Sequence, residues 1–329
     1  MSILITGITS GVGYFVAKQL REKNSKLEIK ATFRSKNPPD NLEDLDLNFV
    51  KGDLTKKDTL VEALKDVKTV FHVAGEARED VSDELYFQIN YEGTRNLLEA
   101  FVENNCERFL HVSTVGIYGY KLPSYPIKED HPKKSYNAYH ESKWIGEKEV
   151  FKQAREHGFF ASAVRPPYIV GPRDRQMGPK LFEYLQKDKK IPLINNGKAN
   201  LSFVHYVDLA EAMIKCSEKE EANGEAFHVI GDSISAKELF ETIGKICNKK
   251  PNFFKINYQV AYGIGLISEI IAKIKRSSPK LTTRRVNQFS RSRMYDISKI
   301  DELVGFKPTY SVRAALEDAY NWMKEVNFV

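Results

Sequence analysis

Residues 2–13 read Ser2-Ile-Leu-Ile-Thr6-Gly7-Ile8-Thr9-Ser10-Gly11-Val12-Gly13, and this stretch decides the fold. An apolar run at 3–6 gives way to three glycines and then to a helical pattern from 11 to about 22. A strand that turns through glycines into a helix presents unpaired N–H groups and the positive end of a helix dipole. No side chain there holds an anion away from the backbone. The glycines fall as GxxxGxG rather than GxGxxG. Taken alone, the turn is as readily a plain strand-to-helix connection as a phosphate cradle.

Working outward, the alternation continues. Apolar runs predict strands at 28–33, 47–50, 69–73, 108–113 and 161–165, and helical spacing predicts helices at 58–65, 89–104 and 138–157. The strands are apolar throughout, as required when both faces of a sheet are covered. This predicts an α/β fold, a doubly wound parallel sheet with helices on both faces. After Arg165 the pattern breaks, punctuated by Pro166, Pro167, Gly171, Pro172, Gly178 and Pro179. Two short strands are predicted at 203–207 and 226–230 with a helix between them, and the last hundred residues read as mainly helical. The expected division is a dinucleotide-binding domain over 1–171, to which about 203–232 returns. A smaller, mainly helical C-terminal substrate-binding lobe takes 172–202 and 233–329.

Composition narrows the function. The 329 residues are 42% hydrophobic and 29% charged, enough for a sizeable core, and carry a net charge of +6. That charge is too small, without a recognition motif, to predict nucleic-acid binding. Cys106, Cys216 and Cys247 are scattered with no CxxC, and the histidines lack ligand spacing, so neither a disulfide framework nor a metal site is expected. Reduced cysteines and a start without a basic leader predict a cytoplasmic protein.

Two further segments point to chemistry. The second strand ends Ala31-Thr32-Phe33-Arg34-Ser35-Lys36. An acidic residue there would accept hydrogen bonds from ribose hydroxyls, whereas an arginine suits a 2′-phosphate, so Arg34 favours NADP(H) over NAD(H). Tyr139-His140-Glu141-Ser142-Lys143 places a tyrosine and a lysine four apart on one helix face. A neighbouring ammonium favours a phenolate, and such a pair can pass a proton to a carbonyl or take one from an alcohol. YxxxK also begins at Tyr14, Tyr295 and Tyr320, but only Tyr139 follows the fifth strand, at the sheet's carboxyl edge. Ser113-Thr114 ends that strand, where a hydroxyl can steady a developing alkoxide.

In order along the chain, these motifs resemble the extended short-chain dehydrogenases/reductases of the NAD-dependent epimerase/dehydratase superfamily, with their Rossmann-type sheet. Thr6–Gly13 resembles the family's cofactor loop, with Ser10 where a glycine is usual. Gly52-Asp53-Leu54, Phe71-His72-Val73-Ala74-Gly75 and Asn90-Tyr91-Glu92-Gly93-Thr94 match three further family elements. So do Ser113-Thr114-Val115-Gly116-Ile117-Tyr118-Gly119, Arg165-Pro166, Gly171-Pro172 and the 203–208 segment. The resemblance implies Gly7, Thr9, Ser10, Gly11, Val12, Gly13, Arg34, Asp53, Leu54, Val73, Ala74, Tyr139, Lys143 and Pro166 as cofactor-binding residues. It implies Thr114, Tyr139, Lys143 and Asn90 as the catalytic set, with the hydroxyl role on Thr114, four before Tyr118. It also implies a homodimer through the helices carrying Asn90 and Tyr139.

Within the family the chain is most similar to the 3β-hydroxysteroid dehydrogenase and dihydroflavonol-reductase-like branch. Lys30–Arg34, Arg165-Pro-Pro, and Pro279-Lys-Leu-Thr-Thr-Arg with the later Asp296-Ile-Ser-Lys299 carry that similarity. The implied activity is hydride transfer between NADP(H) and a carbonyl or secondary alcohol of a mostly apolar small-molecule substrate. The alternative is a nucleotide-sugar epimerase or dehydratase, against which Tyr168 stands where those enzymes often carry an asparagine. Finally, residues 260–274 are apolar apart from Ser268, Glu269 and Lys273, and eight basic residues with no acidic one run from Lys273 to Arg293 inclusive. Such a segment reads as a core helix followed by a solvated basic face, the commoner case. The other reading is a peripheral membrane contact.

Overall fold

The computed structural model describes residues 2–39, 42–275, 277, 279 and 281–328. Its twelve strands among these residues are β1 (Ser2–Thr6), β2 (Glu28–Phe33), β3 (Asn48–Lys51), β4 (Val67–His72), β5 (Arg108–Val112), β6 (Phe160–Arg165), β7 (Tyr168–Val170), β8 (Ile191–Ile194), β9 (Asn200–His205), β10 (Ala226–His228), β11 (Asp232–Ser235) and β12 (Phe253–Ile256). The α-helices are α1 (Gly11–Lys23), α2 (Lys57–Ala63), α3 (Asp83–Phe87), α4 (Gly93–Glu103), α5 (Ala138–His157), α6 (Met177–Gln186), α7 (Tyr206–Glu218), α8 (Ala236–Cys247), α9 (Tyr258–Lys275), α10 (Thr283–Ser290), α11 (Ser298–Val304) and α12 (Val312–Glu325).

Seven strands form one parallel sheet in the order β10-β6-β5-β4-β1-β2-β3. The connections reverse direction between β1 and β4, so the ends of these strands open a crevice at the carboxyl edge. β1, β4, β5 and β6 are almost wholly buried because helices cover both faces. On one face α1, α7 and α11 close a core around Val16, Phe71, Met213 and Phe227. On the other, α2, α4 and α5 close a core around Leu4, Leu97, Phe101 and Phe109.

The second lobe has its own core, with Phe182, Phe203, Leu239 and Leu316 among its members. A three-stranded sheet β11-β9-β7 and a two-stranded sheet β12-β8 support it. The 203–232 segment is shared between the two units. β10 joins the large sheet and α7 packs on α1, but β9 and β11 pair in the small sheet. The expected strand at 203–207 is displaced towards the amino end, to β9. His205 there caps α7 by accepting from the Val207 N–H, so the chain already turns into a helix at Tyr206.

The 83–103 run is helical throughout, but a wide π turn at Gln88–Glu92 interrupts it and presents Asn90. Extra-wide turns of this kind cost hydrogen-bond geometry and concentrate at functional positions. α5 lies close against it. A Cβ on Gly146 would stand 2.5 Å from the Asn90 carbonyl oxygen, so only glycine permits this approach. Further along α5, Glu147 is buried and takes two hydrogen bonds from the equally buried Arg165 at the end of β6, the Nε bond spanning 3.0 Å. The same guanidinium donates to the Tyr118 hydroxyl at 2.6 Å and the Glu129 carbonyl at 3.0 Å.

Removing one partner of such a pair strands a buried charge. Arg165→Met is expected to lower stability by about 3–5 kcal/mol, read as a shift of the urea midpoint. A variant as stable as the parent would show that the pair does not hold α5 in place.

Candidate active site

The carboxyl edge of the sheet collects the sequence-predicted residues from eight separate segments. At the first, Gly7 adopts φ +74°, and a Cβ there would collide with the Ala74 backbone nitrogen at 2.7 Å. Ser10 is the N-cap of α1. Its hydroxyl accepts from Gly13 N–H at 3.1 Å and donates to Gly7 O at 2.7 Å. The serine that replaces the usual glycine therefore ties the turn closed. The N–H groups of Gly11 and Val12 have no protein partner among the described residues. Two free donors at the positive end of a helix fit a diphosphate. Thr9 is exposed beside them.

Arg34 follows β2, exposed to solvent. Asp53 is partly buried, which pushes its carboxyl pKa up. Hydrogen bonds from the Thr55 N–H and hydroxyl, with the charge of Arg34, more than offset this and hold it low. The group therefore stays an ionised acceptor within electrostatic reach of Arg34. Leu54 is fixed between Gly93 and Asn96, whose side chain donates to the Leu54 carbonyl. Val73 packs on the core below α1, and Ala74 donates to the Thr6 hydroxyl at 3.1 Å. Pro166, buried after β6, accepts from Val115 N–H at 3.1 Å.

α5 starts at Asn137, whose side chain caps His140 N–H at 2.9 Å, so Tyr139 and Lys143 occupy its first two turns. Asn90 accepts from Glu76 N–H at 2.8 Å and donates to the Glu76 carbonyl at 3.0 Å and the Ser142 hydroxyl at 3.1 Å. In this way Asn90 locks the loop after β4 to the helix that bears the tyrosine. Thr114 accepts from Gly116 N–H at 3.0 Å, and its own hydroxyl proton is uncommitted among the described residues. Ser113 is buried with its hydroxyl unpartnered.

The electrostatics depart from the expectation in one respect. The Tyr139 phenol has its pKa raised by burial. The cation that counters this is Arg284, not Lys143, and Tyr86 adds to the rise. Lys143 is itself buried, and that desolvation pushes its ammonium down to about 8 against the opposing pull of Glu147. Its charge acts on His72 and His111, both held neutral, first by burial. The other three YxxxK tyrosines have structural partners. Tyr14 donates to Asp44 at 2.6 Å, Tyr320 stacks on Phe182, and Tyr295 is buried under Arg293.

Two functional candidates escaped the sequence reading. Arg284 on α10 carries its guanidinium 6.0 Å from the Tyr139 ring centroid. Arg293, only 8% exposed, lies 5.4 Å from the Tyr120 ring and 5.2 Å from that of Tyr168. Both arginines come from the basic run expected to be a solvated face, and both turn inward. Arg284 Nε, Arg293 Nε, Tyr120 Oη, His140 Nδ1 and Tyr295 Oη are all buried without a hydrogen-bond partner among the described residues. Native interiors rarely leave such groups unpaired, so five around one place point to a polar ligand. Their common feature, contact between 113–140 and 281–295, has no sequence signature. A separate cavity of about 690 Å³, lined by Trp144, Glu147, Lys148, Arg165 and Lys299 among others, includes none of Thr114, Tyr139 or Lys143. Among the described residues no cluster of potential metal ligands occurs.

Comparison with known proteins identifies the family and the fold. The profile of the NAD dependent epimerase/dehydratase family matches residues 3–230. The sterol-4-alpha-carboxylate 3-dehydrogenase, decarboxylating, of Bos taurus is 28% identical over 286 residues, covering 82% of this chain and 80% of its own. The N-acetyl-alpha-D-glucosaminyl-diphospho-ditrans,octacis-undecaprenol 4-epimerase of Escherichia coli O157:H7 is 28% identical over 272 residues, covering 81% and 80%. Among solved structures, gox2253 superposes with a TM-score of 0.84 at 29% identity, covering 99% of this chain and 98% of that one. The UDP-glucuronic acid 4-epimerase of Bacillus cereus in complex with NAD, at a TM-score of 0.77 and 24% identity, shares the fold across 99% of both chains.

The lowered Lys143 pKa gives a signed expectation. Below about 8 the side chain is an ammonium, and above that it is an amine. An interaction of the charged form with the dinucleotide is therefore present at low pH and fades as pH rises through about 8. Titration calorimetry between pH 7 and 9.5, values set to bracket that transition, should show NADP⁺ affinity falling with pH in the parent. The same series on Lys143→Met should be flat. Identical slopes in both proteins would remove Lys143 from cofactor binding.

Proposed function

We propose, for a chain that belongs to the NAD dependent epimerase/dehydratase family and is an NAD(P)-dependent extended short-chain dehydrogenase/reductase, that it transfers hydride between NADP(H) and a carbonyl or secondary alcohol. The substrate we envisage is a mostly apolar small molecule that carries an anionic group near the reacting carbon. One observation carries the reading: Tyr139, Lys143, Thr114 and the free N–H groups of Gly11 and Val12 converge on one sheet edge, with Arg284 over the tyrosine.

The dinucleotide, when bound, supplies the hydride acceptor or donor. The chain's residues do the rest. Tyr139 gives its phenolic proton to the carbonyl oxygen in reduction, or takes the hydroxyl proton in oxidation. Arg284, the cation that favours its phenolate, eases the first half of that cycle. Thr114 has a free hydroxyl proton with which to hold the same oxygen while charge develops. Asn90 keeps the loop after β4 and α5 in register. Gly11 and Val12 donate to the diphosphate, Asp53 accepts at the adenine end, and Arg34 meets a 2′-phosphate.

Support for the anionic group comes from the orphaned donors. Arg284 and Arg293 have inward Nε groups that no acceptor among the described residues satisfies. A carboxylate accepts two such bonds in the planar geometry guanidinium groups favour. The names of the sterol relatives place a carboxylate at position 4 and the dehydrogenation at position 3. A second reading, epimerisation of a diphosphate-linked sugar, draws on the same arginine pair and on the undecaprenol-linked relative. The readings separate on cofactor turnover, because an epimerase returns its hydride and oxidises no net NADPH.

Tyr139→Phe should cut NADPH oxidation by about 10²–10⁴-fold, the range expected for a lost general acid, with NADP⁺ affinity unchanged. Arg34→Leu should weaken NADPH about tenfold, the equivalent of one charge-assisted hydrogen bond, and leave NADH untouched. Steady-state kinetics with a ketone panel reads both; an active Tyr139→Phe protein sinks the assignment. Arg284→Met should raise KM for an apolar β-hydroxy acid about tenfold or more and leave the KM of its methyl ester unchanged, while kcat, which depends on the phenol's acidity, falls for both. An equal rise in KM for acid and ester would refute the anion subsite.

A further inference from the structure

α9 is built inside out. Its buried residues are the small ones, Ala261, Gly265 and Ala272, and they face the protein. A Cβ on Gly265 would already stand 3.1 Å from the Thr283 nitrogen that opens α10. Its large side chains face away. Val260, Ile264, Ile267, Ile271 and Ile274 recur at helical spacing and are 56, 47, 60, 46 and 77% exposed. Leu266 and Ile270 widen the stripe. These seven are over half of the thirteen large hydrophobic side chains exposed among the described residues, so the exposure is one patch and not surface scatter.

Charge of one sign frames the patch. Lys273 and Lys275 are exposed in its last turn, and Lys255 is exposed just before the helix. The one carboxylate of α9, Glu269, turns inward, accepting from the Thr283 N–H at 2.8 Å and hydroxyl at 3.0 Å. No anion therefore remains on the exposed face, and the sequence carries none from Lys273 to Arg293. A second copy laid on this stripe would gain apolar contact but bring cationic faces together without a carboxylate between them.

We infer that α9 docks the protein on an anionic lipid bilayer. It lies in the interface plane with its aliphatic stripe at the acyl boundary and Lys273 and Lys275 at the headgroup phosphates. An apolar face with basic residues at its edge is the combination such surfaces bind. No described helix is long and apolar enough to cross a membrane, so the contact is peripheral. α9 packs directly on α10, which brings Arg284 to the tyrosine. Docking thus turns the substrate-facing lobe towards the phase in which amphiphiles dissolve. The docking itself is independent of which substrate the site accepts.

The test is flotation of the full chain with vesicles of phosphatidylcholine alone or mixed equally with phosphatidylglycerol, at low and high salt. Ile267→Asp/Ile271→Asp serves as the comparison. The parent should float with the anionic vesicles, several-fold less in high salt as screening shortens the reach of the lysines, and poorly with the neutral ones. The double variant should stay in the soluble fraction while keeping the parent's unfolding midpoint and NADP⁺ affinity. Failure of the parent to float, or equal flotation of the variant, overturns the inference. So does light scattering that shows a dimer lost in the variant while vesicle binding is absent throughout.

Discussion

Glu147 and Arg165 are buried together, 1% and 5% exposed at their side chains, and the positions of Tyr139 and Lys143 follow from that pair. Glu147 sits one turn after Lys143 and two after Tyr139 on the same helix, while Arg165 ends the sheet's sixth strand. Taking two charges out of water costs several kcal/mol per ion, and their attraction repays it only if the remaining polar atoms are also bonded. Here they are. Arg165 reaches Tyr118 and the Glu129 carbonyl, and Tyr118 is within 2.8 Å of the neutral His228. Apolar residues could hold α5 against the sheet equally well, but they would not fix its register. Gly146, set directly beside Glu147, lets the helix meet the Asn90 π turn at backbone distance. The clamp and the contact together set where the phenol stands.

That clamp also governs charge. Burial pushes the Lys143 ammonium down to about 8, and Glu147 opposes that fall. Lys143 spends its field on two histidines beneath it. Burial raises the phenol, and Arg284, from the other lobe, opposes that rise. The proton-transfer centre is therefore assembled across a domain junction. The first lobe supplies the tyrosine and the second supplies a cation that favours its ionised form. An anion bound to Arg284 would neutralise part of that cation, so substrate charge and phenol acidity are coupled through one guanidinium.

Most of the first lobe was legible because local rules and global fold agree there. The apolar strands, the glycine turn and the helix at 138–157 follow from periodicity, capping and burial on both faces, with ends within a few residues. The motif order led to the expectation that the glycine turn, Asn90, Thr114, Tyr139 and Lys143 share one edge. What was not legible depends on contacts distant in sequence. Arg284 and Arg293 look like members of a solvated basic run until α10 and the segment after it fold over residues 113–140. The strand at 203–207 moved because His205 spends its side chain capping the next helix, a competition that apolar patterning does not register. The lowering of the phenol by its helical neighbour failed for a similar reason: spacing says which residues share a face, not which way each field points.

α9 shows the same limit from the opposite side. Periodicity identifies an apolar stripe, but a stripe is equally apolar whether it faces a core or a solvent. What decides is the other face. Ala261, Gly265 and Ala272 are the buried side of α9, and at Gly265 α10 comes so near that even a Cβ would stand 3.1 Å from the Thr283 nitrogen. Docked by this small face, the helix leaves its aliphatic residues in water. Exposing such a face costs free energy in proportion to its area. Folding has not removed that cost, although α9 could in principle have been rotated had the inward residues been larger. The small inward face and the large outward face are thus one constraint: the sequence commits α9 to a partner outside the chain, beside the lobe that brings Arg284 to the tyrosine.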